Sequence, residues 1–366
     1  MIKFYDLTHE TAPYKDELIQ AATTVISSGW YILGEQLANF ETNFAAFIGV
    51  DHCIGVANGL DALTLCLRAI DIGPGDEVIV PAQTFVATWL AVSATGAKIV
   101  PVDVTQDACL LDPEQLAQAI TANTKAIVPV HLFGHPVDID AIADIAAGSG
   151  QHIHIFEDSA QAHGATYKGR KCGALASASG FSFYPSKTLG ALGDGGAITT
   201  NDEALATRIR ALRNYGSSEK YVHDHVGVNS RLDELQAAFL DVKLRHLAAD
   251  IRKRQDIAAR YDELLTDTEA VTPINPSKDV SHAYHLYVVR TAQRERVASA
   301  LQQAGIESLV HYPIPPFAQA AYSHLNIDPQ GFPVSSAWAT ECLSLPIGPQ
   351  MNIEDVDVVV DCLNKL

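Results

Sequence analysis

The chain has 366 residues, 48% of them hydrophobic and 19% charged, enough apolar material for a large core and for about two domains. Its net charge of −18 repels nucleic acid and anionic membrane surfaces, so neither is expected as a partner, and no apolar run is long enough to span a bilayer. The mixed, charged start "MIKFYDLTHETAPYKDEL" is unlike a secretory leader. Six scattered cysteines without a CxxC pair argue against a zinc site or disulfide framework and suit a reducing cytoplasm.

In chain order, residues 1–50 read as a short arm and helices. "ETAPYKDELIQAATTVISSGW" is helical with a stop at Gly29, and Leu37, Phe40, Phe44 and Phe47 recur at three- and four-residue steps before Gly49. Seven β-prone runs follow: "CIGVAN", "EVIVPA", "KIVPVD", "AIVPVHL", "HIHIFED", "SGFSFYP" and "GAITT". Helical stretches separate the first five, which predicts a mostly parallel sheet covered on both faces. Only a Gly-rich loop joins the last two, so one antiparallel connection is expected there. Two long helical patterns, "EALATRIRALRNYG" and "RLDELQAAFLDVKLRHLAADIRKRQDIAARYDELL", come next. After a Pro- and Ser-richer stretch, "LYVVR", "RERVASALQQAGI" and "EDVDVVVDCL" form a smaller α+β unit. The expected division is 1–248 and 249–366.

Ligands of open α/β sheets bind outside the carboxyl ends of the strands, and four residue clusters fall there. Asn58-Gly59-Leu60-Asp61 opens a helix directly after a strand and could cradle a phosphate, or could be an ordinary capped helix start. Phe85 and Trp89, four apart, could stack on a flat ring or pack in the core. "FEDSAQAHG" sets Glu157, Asp158, Gln161 and His163 at a strand end, where a buried carboxylate needs a cationic partner unless it caps a turn. Lys187, five residues after Ser182, precedes a stretch in which five of the seven residues Gly190–Gly196 are Gly or Ala; an exposed turn lysine is the alternative. Together the four meet the demands of pyridoxal phosphate: a lysine for the Schiff base, a carboxylate for the pyridinium nitrogen, an aromatic face and a phosphate cradle. Metal chemistry fits less well. The pairs His152/His154, His223/His225 and His282/His285 lack a carboxylate or Cys at familiar spacing, and both GxGxxG and GxxxxGK[ST] are absent.

Over almost its whole length the chain resembles the DegT/StrS-type sugar-nucleotide aminotransferases. The likeness runs through "SGWYILGEQLANFE", "GVANGLDALTLCLRAIDIGPGDEVIVPAQTFVATWLAVSATGAKIVPVDV", "FEDSAQAHGATYKGRKCG", "FSFYPSKTLGALGDGGAITTND", "GVNSRLDELQAA" and "VHYPIPP". The resemblance implies the aspartate-aminotransferase fold (fold type I), with a large domain on a mostly parallel seven-stranded sheet and a small C-terminal α+β domain. It also implies a homodimer with shared active sites, to be set beside the cytoplasmic location and absence of a metal site expected from the cysteines and histidines. By its motifs, Lys187 is the Schiff-base lysine and Asp158 the partner of the ring nitrogen. Gln161 bonds the cofactor's edge, and Phe85, with Trp89 as a second aromatic, covers its face. Gly59, Leu60 and Ser182 contact the phosphate, and Asn229 and Arg231 lie in the segment that reaches the neighbouring subunit's phosphate. Tyr184, Tyr221 and His311 are the implied substrate contacts. Leu60 departs from the hydroxyl residue common at its position, leaving backbone N–H alone, and Thr188 replaces a frequent Asn. The stretch before Lys187 is similar to the branch acting at C3 of dTDP-3-oxo-6-deoxyhexoses with L-glutamate as amino donor. C4-specific and uronate-specific relatives are the alternatives, and a non-catalytic regulatory protein on this fold is a further one.

Overall fold

The computed structural model describes residues 1–266, 268–274 and 276–366. The N-terminal arm begins with α1 (Leu7–Thr11), capped by Asp6, whose carboxylate accepts from the Thr8 and His9 N–H groups. A single 3₁₀ turn leads into α2 (Lys15–Ser28), which ends where Gly29 takes φ +66°, a conformation that costs glycine little. The next helix, α3 (Glu35–Ile48), buries Leu37, Phe40 and Phe44 of the stripe read from the sequence, while Phe47 is only partly buried and Ile48 takes the last core position.

Strands and helices then alternate: β1 (His52–Val56), α4 (Gly59–Ala69), β2 (Glu77–Pro81), α5 (Val86–Ser93), β3 (Lys98–Val102), α6 (Pro113–Ala119), β4 (Thr124–Ile127), α7 (Ile139–Gly148) and β5 (His154–Asp158). A small hairpin of β6 (Thr166–Tyr167) and β7 (Arg170–Lys171) precedes β8 (Ala178–Ser182) and β9 (Gly196–Thr200). The main sheet has the order β1-β9-β8-β5-β4-β2-β3. Only β9 is reversed, pairing antiparallel with both β1 and β8, while the other pairs are parallel. Consequently the carboxyl ends of β1, β2, β5 and β8 share one edge of the sheet. Strands such as β2 and β9 are buried along their whole length, as a sheet covered on both faces requires.

Next come α8 (Glu203–Leu212), a hairpin of β10 (Ser217–Glu219) and β11 (Val222–His223), and the 31-residue helix α9 (Glu234–Leu264). The C-terminal part holds β12 (Thr272–Pro273), β13 (Val280–Ser281), β14 (Tyr287–Arg290), α10 (Arg294–Gln303), α11 (Pro333–Glu341), β15 (Cys342–Leu345) and α12 (Glu354–Leu363). There β14 pairs antiparallel with β12 and β15, and β13 pairs with β6 of the large unit.

The helix α9 serves two cores. Ala237, Leu240, Leu244, Leu247 and Ile251 pack with Phe40, Phe44, Phe181 and Phe183. Ile257, Ala258 and Tyr261, with Leu265 at the helix end, pack with Tyr287, Val289, Leu343, Leu345, Val356 and Val360. We propose to divide the chain inside this helix, where one core gives way to the other. No helix among the described residues is long and apolar enough to cross a membrane.

Candidate active site

The chain leaves β8 at Ser182 and winds tightly around Lys187. The Lys187 N–H donates to the Tyr184 carbonyl at 2.8 Å, and the Ala191 N–H donates to the Phe183 carbonyl at 2.8 Å. Gly190 lies against Pro185; a Cβ there would stand 2.2 Å from the Pro185 oxygen, so this turn admits glycine alone. Two side chains of α9 hold the loop from below. Gln236 Oε1 accepts the Leu192 N–H at 2.9 Å, and Lys243 Nζ donates to the Gly190 carbonyl at 2.8 Å. Lys187 is thus fixed by its surroundings and partly buried. Burial lowers its ammonium pKa to about 8, with the Asp158 charge acting in the opposite sense.

Asp158 closes β5 and is 5% exposed. Its Oδ2 accepts from Thr88 Oγ1 at 2.9 Å and its Oδ1 from the Ala160 N–H at 3.2 Å. Burial raises its pKa, while the hydrogen bonds from Thr88 and Ala160 and the Lys187 charge pull it down. The neighbouring Glu157 has a different task. It accepts from His131 Nε2 at 2.9 Å and from the N–H groups of Gly173, Leu175 and Ala176 at 2.8, 2.9 and 3.1 Å. His131 Nδ1 accepts from Val137 N–H, so the His131 proton sits on Nε2. Glu157, His131 and the nearby Cys172 sulfur form a satisfied buried network that ties loops together.

Gln161 spans the site, its Oε1 accepting from Phe133 N–H at 2.5 Å and its Nε2 donating to Tyr312 Oη at 2.9 Å. Tyr312 comes from the C-terminal part, and its ring centroid lies 5.3 Å from that of Phe85. Phe85 is the N-cap of α5, in extended backbone, with half of its surface open. The expectation of Trp89 as a second aromatic over the cofactor is corrected. Trp89 is fully buried, donates its indole N–H to the Pro81 carbonyl at 2.9 Å and packs edge-on against Tyr322, so it has no face for a ligand.

At the start of α4, Asn58 Oδ1 accepts the Asp61 N–H at 2.8 Å. The Gly59 and Leu60 N–H groups of that first turn have no intrahelical acceptor. Gly59 touches Ser182: a Cβ on the glycine would lie 2.7 Å from the serine Cβ. This brings helix N–H groups and a hydroxyl to one point, a cradle for an anion. Asn229 and Arg231 line a cleft of ≈ 330 Å³ with Ala57 and Asp194. There Arg231 donates to Asn214 Oδ1 at 2.9 Å and lies over the Tyr215 ring.

His311 stands beside Tyr312, with Nδ1 2.8 Å from Ser344 Oγ and its ring against Phe4. Burial and the Lys187 charge push its pKa down to about 4, so it is neutral near pH 7. His163, buried against Phe181 and Phe183, is pushed to about 3 by the same causes. Tyr184 is exposed at the mouth of the loop. Tyr221 projects from the turn between β10 and β11, 83% exposed, with the Lys220 ammonium over its ring. Thr84, Thr88 and Tyr312 escaped the sequence reading. A Thr pair four apart bracketing Phe85, and the tyrosine directly after His311, were the available signals.

The model of the DegT/DnrJ/EryC1/StrS aminotransferase family matches residues 13–364. The chain belongs to that family. As a member it is a fold type I aminotransferase working with pyridoxal 5′-phosphate. It is 49% identical to the dTDP-3-amino-3,6-dideoxy-alpha-D-galactopyranose transaminase of Aneurinibacillus thermoaerophilus, covering 100% of this chain and 99% of that one. It is 46% identical to the dTDP-3-amino-3,4,6-trideoxy-alpha-D-glucose transaminase of Streptomyces venezuelae, over 100% and 96% of the two chains. Among solved structures, S. venezuelae DesV in complex with a ketimine intermediate superposes with a TM-score of 0.97 at 45% identity, covering 100% of this chain and 98% of that one.

Proposed function

We propose that this aminotransferase moves an amino group from L-glutamate to C3 of a dTDP-3-oxo-6-deoxyhexose, as a cytoplasmic homodimer. The observation that carries the reading is the convergence of a depressed lysine and a buried, hydrogen-bonded carboxylate at the same strand edge, beside the Gly59–Ser182 cradle. These groups fit pyridoxal phosphate. The Gly59 and Leu60 N–H groups and Ser182 Oγ would take the phosphate, joined by Asn229 and Arg231 of the partner subunit's copy of that segment. Asp158 would hold the ring nitrogen, Gln161 the ring oxygen and Phe85 the ring face.

When bound, the cofactor supplies an electron sink for breaking and making bonds at the carbon that bears the nitrogen. The rest falls to side chains. Asp158, as a carboxylate, would hold the ring proton in place. Lys187 Nζ would hold the aldehyde end and is the amine that could carry a proton between carbon atoms. Its pKa of about 8 leaves an appreciable neutral fraction near neutral pH. Tyr184, Tyr221 and His311 are proposed to contact the substrate, with neutral His311 offering a hydrogen bond rather than a charge.

Two supports favour C3. The stretch Tyr184-Pro185-Ser186 precedes the lysine, and both curated relatives quoted above are named as transaminases of dTDP-3-amino sugars. A carbonyl misplaced by about 1 Å loses roughly a hundredfold in rate, so the site discriminates between isomers. Paired kcat/KM values for the 3-keto and 4-keto dTDP-6-deoxyhexoses with glutamate, and the C–N position in the product by NMR, test this. Preference for the 3-keto isomer is expected, and faster conversion of the 4-keto sugar with nitrogen at C4 would overturn it.

A further inference from the structure

We propose that Thr88, backed by Thr84, is a positioning residue that keeps the Asp158 carboxylate ionised and aimed at the cofactor's ring nitrogen. This rests on the reading of Asp158 given above and adds two hydroxyls to it.

The geometry fixes the direction of the relay. Thr88 Oγ1 is 2.9 Å from Asp158 Oδ2, and Thr84 Oγ1 is 3.0 Å from Thr88 Oγ1. An ionised carboxylate only accepts, so the Thr88 hydroxyl donates to it. With that proton committed, the Thr88 oxygen can only accept, and Thr84 donates. A threonine within a helix usually turns its hydroxyl back to the carbonyl four residues earlier. Here the hydroxyl meets the side chain of that residue instead and points on to Asp158. Thr84, Thr88 and Asp158 are 2%, 0% and 5% exposed, so water does not substitute for either hydroxyl. With Ala160 N–H on Oδ1 and Thr88 on Oδ2, each carboxylate oxygen is oriented and keeps acceptor capacity for the ring.

The titratable groups around Asp158 come from other elements, and of them only Lys187 carries charge. Lys187 comes from the loop after β8, His131 from the segment after β4 and Tyr312 from the C-terminal part. Lys187 surrenders its charge as it works. The Thr pair does not titrate, so it supports the carboxylate in every state of the lysine. Valine has the shape of threonine without the donor, which separates the hydrogen bond from packing.

The test is titration of cofactor-free protein with pyridoxal phosphate at a series of pH values, following the absorbance of the bound cofactor. Wild type, Thr88→Val, Thr88→Ser and Asp158→Asn are compared. Removing a donor to the charged form raises the carboxyl pKa. In Thr88→Val the acid-side loss of affinity is therefore expected about one pH unit higher than in wild type, a roughly tenfold weaker complex within that window. Thr88→Ser should restore the wild-type profile, and Asp158→Asn should lack the step. If Thr88→Val does not fold, Thr84→Val should show a smaller shift in the same direction. A wild-type chain that takes up no pyridoxal phosphate at any pH overturns the underlying reading together with the relay. Wild-type uptake with an unshifted Thr88→Val profile, or an unshifted Thr84→Val profile where that variant stands in, overturns the relay alone.

Discussion

Gly59 sits so close to Ser182 that a Cβ on the glycine would lie 2.7 Å from the serine Cβ and 3.1 Å from its Cα. The serine belongs to the end of β8 and the glycine to the first turn of α4, so neither can yield without moving an element. Gly59→Ala should drive the helix start away from the hydroxyl. The expected result is at least about tenfold weaker pyridoxal phosphate binding, with a loss of stability of about 1–3 kcal/mol from overpacking. Cofactor titration and thermal melting of the cofactor-free protein read the two effects separately. Unchanged affinity would place the phosphate elsewhere.

Lys187 gives a pH-dependent stability whose sign follows from its lowered pKa. The unfolded chain holds the lysine proton up to about pH 10.5, whereas the folded chain releases it near 8. Between those values the unfolded state binds more protons, so this group's contribution to stability rises with pH; below about 8 it is a constant penalty. Cofactor-free Lys187→Met should therefore be more stable than wild type at pH 7, by up to about 3 kcal/mol. Its advantage should shrink as pH climbs from 8 toward 10.5. Denaturant melts at pH 7 and 10 measure it, and an equal or smaller stability at pH 7 would contradict the burial argument. The same variant should lack transamination activity.

Arg231 and Asn229 carry the proposed subunit exchange. Within its own protomer Arg231 is engaged with Asn214 and Tyr215, beside the cleft lined by Ala57. If these residues serve the partner's phosphate, inactive Lys187→Ala subunits mixed with inactive Arg231→Ala subunits should regain activity, because each heterodimer then holds one intact site. Activity that stays at background after subunit exchange, verified by native mass spectrometry, would assign the segment to its own protomer.

Much of the fold was legible because buried parallel strands and amphipathic helices write their periods directly. "EVIVPA" and "GAITT" are largely apolar and buried along their whole length because both faces are covered, and Gly29 and Gly49 mark helix ends with positive φ. Lys187, Asp158 and Gln161 were legible because strand ends locate them. Trp89 took the core alternative that its sequence left open; Phe85 is a cap, and its ring neighbour, Tyr312, is 227 positions away. Thr88 was missed because the Thr84–Thr88 spacing, its one signal, does not reveal a role until the acceptor, Asp158, is known. α11 and β15 went unnoticed because Pro333 opens a short helix that runs straight into a four-residue strand.

Lys243 and Glu10 form a buried pair at 3.0 Å, both side chains 5% exposed, and Lys243 also donates to the carbonyl of Gly190, three residues after Lys187. The pair ties the N-terminal arm to the loop that presents the reactive amine. Removing one partner leaves a buried charge uncompensated, so Lys243→Met should cost about 3–5 kcal/mol. Replacing both by apolar residues removes that penalty, and Glu10→Met/Lys243→Met should regain most of the stability. The Gly190 carbonyl, however, stays without its donor in the double variant, and the loop loses its lower tether. Turnover should therefore remain depressed, with kcat reduced more than KM changes, because the amine is misplaced rather than the substrate site lost. Denaturant melts and steady-state kinetics on the three proteins decide the matter. Recovery of both stability and kcat in the double variant would reduce the pair to a structural clasp. Recovery of stability alone would show that the arm helps to position Lys187.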